Sequence, residues 1–157
     1  MNEPNESGGA RSPHAAVPRR EFVAEVKVRF ADVDHARIVY YPRFFHYFHI
    51  AFEELFEREM GMKYPEVIDG DHVGFPAVKT EAEYRSPVRF GDVLRIRVTC
   101  SRLGSRSVTL HYRAERVKDG VLCTEAHVTT ACVDMRTFTS QVIPEKYREL
   151  FARFSEA

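Results

Sequence analysis

At 157 residues, 44% hydrophobic and 29% charged, the chain has material for one domain with one sizeable core. Lys+Arg and Asp+Glu both number 23, so the formal net charge is zero, which argues against a general nucleic-acid binder resting on a basic surplus. Three cysteines with no Cys-x-x-Cys pair read as reduced core residues and point to the cytoplasm, and no run approaches the roughly 18 apolar residues of a membrane helix.

Residues 1–20, rich in Pro, Gly, Ser, Asn and Arg without an apolar stretch, read as a disordered lead-in rather than a secretory signal. Residues 21–157 read as a single domain. In "EFVAEVKVRFAD", Phe22, Ala24, Val26, Val28 and Phe30 alternate with Glu25, Lys27 and Arg29, the pattern of a half-buried strand. A short segment with Asp32, Asp34 and His35 follows, and Pro42 then suits the first position of a helix. The helix runs to Gly61, a stop signal, with apolar residues at 44, 48, 52 and 55, widened by 45, 51 and 56. Its first half is apolar nearly all round, which predicts that something wraps it. Residues 62–75 read as loop or short helix.

Strand periodicity then returns. Val78, Thr80, Ala82 and Tyr84 share one phase; Leu94, Ile96, Val98 and Cys100 another; Val108, Leu110, Tyr112 and Ala114 a third. "KDG" signals a hairpin, "VLCTEAHVTTACVDM" a central strand, and Tyr147, Leu150, Phe151 and Phe154 a closing helix. One strand, a long helix, four antiparallel strands and a short helix make an α+β fold with helices on one sheet face. Its outer strands leave open edges that an oligomer would cover.

Three stretches, "VRFADVDHARIVYYPRFFHYF", "YRSPVRFGDVLRI" and "SRLGSRSVTLHY", in this order, resemble the 4-hydroxybenzoyl-CoA thioesterase family of hotdog-fold acyl-CoA thioesterases over residues 22–150. The resemblance implies a hotdog fold, a curved antiparallel sheet around one long helix. It also implies edge-to-edge homodimers, usually paired into tetramers, with sites at the dimer interface and no metal or prosthetic group. The family's catalytic carboxylate falls on Asp34, as nucleophile or as general base on water. Its oxyanion donor, a backbone N–H at the helix start, falls on Tyr41. Its CoA contacts fall on Arg106 and Ser107. The family's common glycine is Arg37 here. Glycine there serves a positive φ or a close approach, so arginine predicts an altered loop or a side chain reaching substrate or phosphate.

The residues support the same chemistry independently. A helix N-terminus offers free N–H groups and about half a positive charge to a polarised carbonyl, and a carboxylate seven positions earlier can sit on its other side. Asp32 reads as structural. His35 is either a loop histidine or a proton carrier beside Asp34. His49 is a core or interface histidine, or lines an acyl pocket formed by Phe44, Phe45, Phe48 and a partner subunit. His35, His46 and His49 lack the companions of a metal site. Arg102, Arg106, Arg113 and Lys118 form a basic group that suits CoA phosphates or is simply a solvated face. Glu81 and Glu83 read as solvated or salt-bridged.

The expected activity is hydrolysis of an aromatic or short- to medium-chain acyl-CoA. A hotdog hydratase or dehydratase, and a non-catalytic acyl-CoA binder, are the competing readings.

Overall fold

A computed structural model describes residues 20–156. The expected lead-in therefore lies outside the described residues except for Arg20, which pairs with Glu59 at 2.8 Å. Five antiparallel strands form the main sheet in the order β1-β4-β5-β6-β3: β1 (Phe22–Lys27), β3 (Ala77–Tyr84), β4 (Val93–Leu103), β5 (Ser107–Arg116) and β6 (Leu122–Ala131). The long helix α1 (Arg43–Met60) packs across one face. Gly61 ends it in the left-handed conformation, φ 66°, donating its N–H to Glu57 at 3.0 Å. A small second sheet joins β2 (Val73–Gly74), β7 (Val133–Asp134) and β8 (Thr139–Ser140), and a π-helical turn spans Glu66–Gly70. The closing helix α2 (Glu145–Ala152) packs on β4.

The alternating residues do what their period demands. Leu94, Ile96, Val98 and Cys100 from β4, and Val108, Leu110, Tyr112 and Ala114 from β5, are buried under α1, whose Phe44, Phe48, Phe52, Leu55 and Phe56 fill the core from above. The opposite sheet face carries charge that is satisfied within the chain. Arg97 bonds both Glu21 and Glu115, and Arg113 bonds Glu21.

Two expectations need correction. Phe30 does not continue the inward phase of β1; a single 3-10 turn at Phe30–Asp32 reverses it, leaving Phe30 80% exposed and Asp32 buried. Strand β3 has no buried face, only Ala82 being half-buried, because it is an edge and its pairing with β6 slips between Ala77 and Lys79.

The turn at Phe30 has a twin. "VRFAD" (28–32) and "VRFGD" (88–92) differ at one residue. In each, the aspartate carboxylate accepts the N–H of the arginine three positions earlier at 2.8 Å. In each the aspartate N–H returns to that arginine's carbonyl at 3.0 Å. Val28 and Val88 are buried, while Phe30 and Phe90 meet edge to face in solvent with ring centres 5.9 Å apart. The two turns are joined because Val28 N–H donates to the Asp92 carbonyl at 2.9 Å.

Candidate active site

Between the Phe30 turn and α1 the chain makes a tight hairpin. Val33 bridges Val39, Asp34 N–H donates to the Ile38 carbonyl at 3.0 Å, and Tyr40 N–H donates to the Asp32 carbonyl at 2.9 Å. Asp34 sits exposed at the mouth of the tip, its Oδ1 accepting Ala36 N–H at 2.8 Å. Arg37 closes the tip at φ 64°. Arginine here adopts the left-handed backbone that glycine would take freely. His35 is exposed and makes no hydrogen bond or ion pair among the described residues.

Asp32, two residues before Asp34, is committed to structure. Its Oδ2 accepts Tyr47 Oη at 2.7 Å and Arg29 N–H at 2.8 Å, while Arg43 Nε lies 3.9 Å from Oδ1. Burial, then the bond to Asp32, pushes the Tyr47 phenol well above its ordinary range. This pins the hairpin to the first turns of α1.

At the head of α1, Arg43 N–H donates to Tyr40, Phe44 N–H to Tyr41 and Phe45 N–H to Pro42. Pro42 has no N–H. The Tyr41 N–H has no hydrogen-bond partner among the described residues, so it is an open donor at the positive end of the helix. The Tyr41 ring is 61% exposed and meets Tyr84 at 6.0 Å. Beside it lies a cavity of ≈ 300 Å³ lined by Val39, Phe44, Tyr84, Pro87 and Thr124, among others.

A larger cavity of ≈ 560 Å³ opens between the middle of α1 and the β3 side of the sheet. Phe45, Phe48, His49 and Phe52 line it from α1, Ala77 and Thr80 from β3, Tyr112 from β5, and Met135 and Phe138 from the β7–β8 hairpin. The apolar width of the early helix thus faces this space instead of being wrapped all round. Phe45 and Phe48 line the larger cavity as expected of an acyl pocket, whereas Phe44 borders the smaller one. His49 is half exposed, 3.5 Å from Glu53, with its ring against Phe52 and Tyr64.

Arg106 and Ser107 stand elsewhere. Arg106 donates to the Ser140 carbonyl at 3.0 Å, and Ser107 pairs with Ala131. Asp34 and Tyr41 belong to the other end, where Val39 N–H bonds the Val88 carbonyl and Tyr84 pairs with Thr124. The span from Ser107 to Ala114 along β5 is roughly 20 Å at about 3.3 Å per residue. One chain does not bring the two groups together. Of the other basic residues, Arg113 is taken by Glu21 and Lys118 by Asp92 at 3.0 Å, so neither is a free phosphate ligand. Glu81 and Glu83 pair with Lys79 and Arg85.

Among the described residues no cluster of His, Cys, Asp or Glu is placed to hold a metal ion, and no helix is long and apolar enough to cross a membrane. The three cysteines are buried and free, and burial pushes the Cys100 thiol up to about 11. Sequence reasoning passed over Tyr64, Tyr84 and Tyr112 as site residues. The signal for Tyr112 was a phenol in the inward phase of an otherwise aliphatic strand.

The thioesterase-like superfamily profile matches residues 28–151. A 1,4-dihydroxy-2-naphthoyl-CoA hydrolase of Synechococcus sp. (strain CC9605) is 33% identical over 111 residues, covering 68% of this chain and 69% of that protein. Across the first three such relatives the match covers 69%, 60% and 61% of their length, so the chain spans about two thirds of them or slightly less. Among solved structures, a thioesterase-superfamily protein from Jannaschia sp. CCS1 superposes with a TM-score of 0.81 at 26% identity, over 90% of this chain and 99% of that one. The gentisyl-coenzyme A thioesterase BH1999 superposes with a TM-score of 0.72 at 27% identity, over 80% and 98%. These are hotdog folds, and the specific likeness is to the superfamily rather than to 4-hydroxybenzoyl-CoA thioesterase in particular.

Proposed function

The chain belongs to the thioesterase-like superfamily, and from that premise we propose that it hydrolyses an acyl-CoA thioester, R–CO–S–CoA, to the free acid and CoA. The observation that carries the reading is the open Tyr41 N–H at the head of α1, on the chain seven positions after the unburied carboxylate of Asp34. Attack on a thioester puts negative charge on the carbonyl oxygen, and an unpaired donor fixed at the helix head would stabilise it with little reorganisation. Asp34 supplies the attack. It either adds to the carbonyl, expelling CoA thiolate and leaving a mixed anhydride for water to cleave, or it takes a proton from the attacking water. Both parts come from the chain's own atoms, so the reading requires no metal or prosthetic group.

The acyl group belongs in the aromatic-lined larger cavity, which suits an aromatic or medium-length chain. The curated relative's named substrate, a naphthoyl-CoA, is of this kind. CoA contact by Arg106 and Ser107 requires a second copy. Antiparallel pairing of β3 with another β3 would set the partner's Ala77 end beside this chain's Tyr84 end. It would carry the partner's Arg106 and Ser107 toward this chain's Asp34 and Tyr41. A homodimer closing two sites follows, and a monomer by light scattering at assay concentration would overturn that part.

The test is release of free CoA thiol from benzoyl-, hydroxybenzoyl-, naphthoyl- and straight-chain acyl-CoAs. Asp34→Asn keeps an oxygen for Ala36 N–H, so the hairpin stands. Its turnover is expected to fall at least about a hundredfold while CoA affinity stays. Equal turnover by both proteins would remove Asp34 from the mechanism, and binding without turnover by the wild type would leave a binder.

A further inference from the structure

Tyr112 occupies the middle of β5, 97% buried by its 3% exposure, with its ring stacked on Phe48 at 4.9 Å. It lines the larger cavity, and its hydroxyl has no hydrogen-bond partner among the described residues. Among the described residues, the side-chain oxygens that are both fully buried and unpartnered are those of Thr124 and Thr130, and the Tyr112 hydroxyl is not one of them. The Tyr112 hydroxyl therefore meets the cavity space. A phenol in such a place is unfavourable compared with phenylalanine, which would fill the same volume with nothing left unsatisfied. Something polar in the cavity completes it.

The surroundings say what kind of group. The walls near Tyr112 are Phe45, Phe48, Phe52 and Phe75, which suit a flat or aliphatic body. Tyr64 lines the same space, against Phe52 and His49 of α1. Burial pushes Tyr64 up to about 12, with the Glu53 charge adding to it, and pushes Tyr112 higher still, so both phenols keep their protons and can donate. No carboxylate or guanidinium among the described residues lines the cavity. The two phenols, with the His49 imidazole, offer hydrogen bonds that suit an oxygen substituent.

The geometry points to Tyr112 as a specificity-determining residue: its hydroxyl hydrogen-bonds an oxygen substituent carried on the acyl group remote from the thioester, so that oxygenated acyl groups are preferred over the plain hydrocarbon of the same shape. This rests on the larger cavity being the acyl pocket of the proposed thioesterase. A site built to bond a hydroxyl discriminates strongly against the analogue lacking it, because its own polar group is then stranded.

The experiment compares kcat/KM within matched pairs, 4-hydroxybenzoyl- against benzoyl-CoA and 6-hydroxy-2-naphthoyl- against 2-naphthoyl-CoA, for wild type and Tyr112→Phe. At least one pair is expected to show a preference of about tenfold or more for the hydroxylated member in the wild type. In Tyr112→Phe that ratio is expected to fall to near one, the loss lying on the hydroxylated member. A wild type that distinguishes neither pair, or a preference that survives the substitution, overturns the assignment. If Tyr112→Phe does not fold, Tyr112→Leu is read on the same terms, and wild-type ratios near one overturn the assignment by themselves. If the wild type turns over no thioester, the failure is that of the hydrolase reading. Titration with 6-hydroxy-2-naphthoate and 2-naphthoate then tests Tyr112 without catalysis: tighter hydroxy-acid binding lost in the variant supports it, and equal affinities overturn it.

Discussion

Arg37 donates its backbone N–H to the carbonyl of Asp34 at 2.9 Å, and it does so with φ at 64°. The hairpin tip that presents the proposed catalytic carboxylate is thus held by an L-residue in the left-handed region. That conformation costs roughly 1–2 kcal/mol, and replacing arginine by glycine gives back somewhat less because glycine has more freedom to lose on folding. Arg37→Gly is expected to raise stability by about 0.5–1 kcal/mol in urea unfolding, while Arg37→Ala gains nothing of this kind. A destabilised glycine variant would mean that the arginine side chain contributes more than the backbone costs.

Asp32 holds the hairpin to α1 through Tyr47 and Arg29. Asp32→Ala strands a buried hydroxyl and a backbone N–H, with an expected loss of about 2–4 kcal/mol. Tyr47→Phe is expected to cost about 1–2 kcal/mol, since one bond goes and the carboxylate keeps the other. Both are read by chemical denaturation. A neutral Asp32→Ala would show that the hairpin is held by its backbone bonds alone.

The carboxyl-terminal segment is tied to the outer sheet face through His111, whose Nδ1 meets Glu156 at 2.7 Å and Nε2 meets Glu125 at 2.6 Å. The bond to His111, with help from Arg85, holds Glu125 below its ordinary value of 4.5. Burial pushes Glu156 up, but Thr99 and His111 outweigh it and leave it low. A carboxylate depressed in the folded state stabilises the fold above its unfolded pKa, and that contribution is lost as pH falls through the folded value. Stability is therefore expected to hold from neutrality down to about pH 4.5 on account of these groups and to decline below it. In His111→Asn the drop between pH 5 and pH 3 should be smaller, measured by thermal unfolding across that range.

The twin turns give a matched pair of substitutions. Gly91 sits at φ 88° with open space where a Cβ would be, whereas Ala31 lies in a 3-10 turn. The single difference between the two pentapeptides falls at the one position where the backbone changes hand. Gly91→Ala is expected to cost about 1–2 kcal/mol from backbone strain alone. Ala31→Gly should cost less than about 1 kcal/mol. Equal losses would put the difference in side-chain packing instead.

Much of this was legible in the residues. The span of α1, its stop at Gly61, and the inward phases of β4 and β5 followed from periodicity, because each buried face has one period and one partner. The placement of Asp34 in a loop feeding a helix that starts near Tyr41 was legible from the spacing of Asp34, Tyr41 and Pro42, whereas the hairpin form of that loop was not. Phe30 was misread because a five-residue period-2 run says nothing of a turn whose cause is the buried carboxylate of Asp32. The exposure of β3 was hidden since Val78 and Tyr84 look inward-facing in any strand, and whether a strand is central or an edge is decided by pairing across 40 or more residues. The positive φ of Arg37 was not legible, because a left-handed φ is unfavourable for arginine but not forbidden. The distance of Arg106 and Ser107 from Asp34 is a property of the whole sheet and has no local signature.

The strand order has a consequence for how the molecule comes into being. Strands β4, β5 and β6 form a meander of near neighbours in the chain, while β1 and β3, both made earlier, flank it on the outside. Pairings joined by short connections close first, since ordering a long loop is entropically dearer. The meander is thus the kinetic seed, and the amino-terminal strand, α1 and β3 must wait for it. During synthesis the phenylalanine-rich helix leaves the ribosome before β4 and β5, the strands it packs on, have followed. Aggregation of nascent chains is expected to be greatest in that interval, and pulse-labelling in a chaperone-depleted cell would show it.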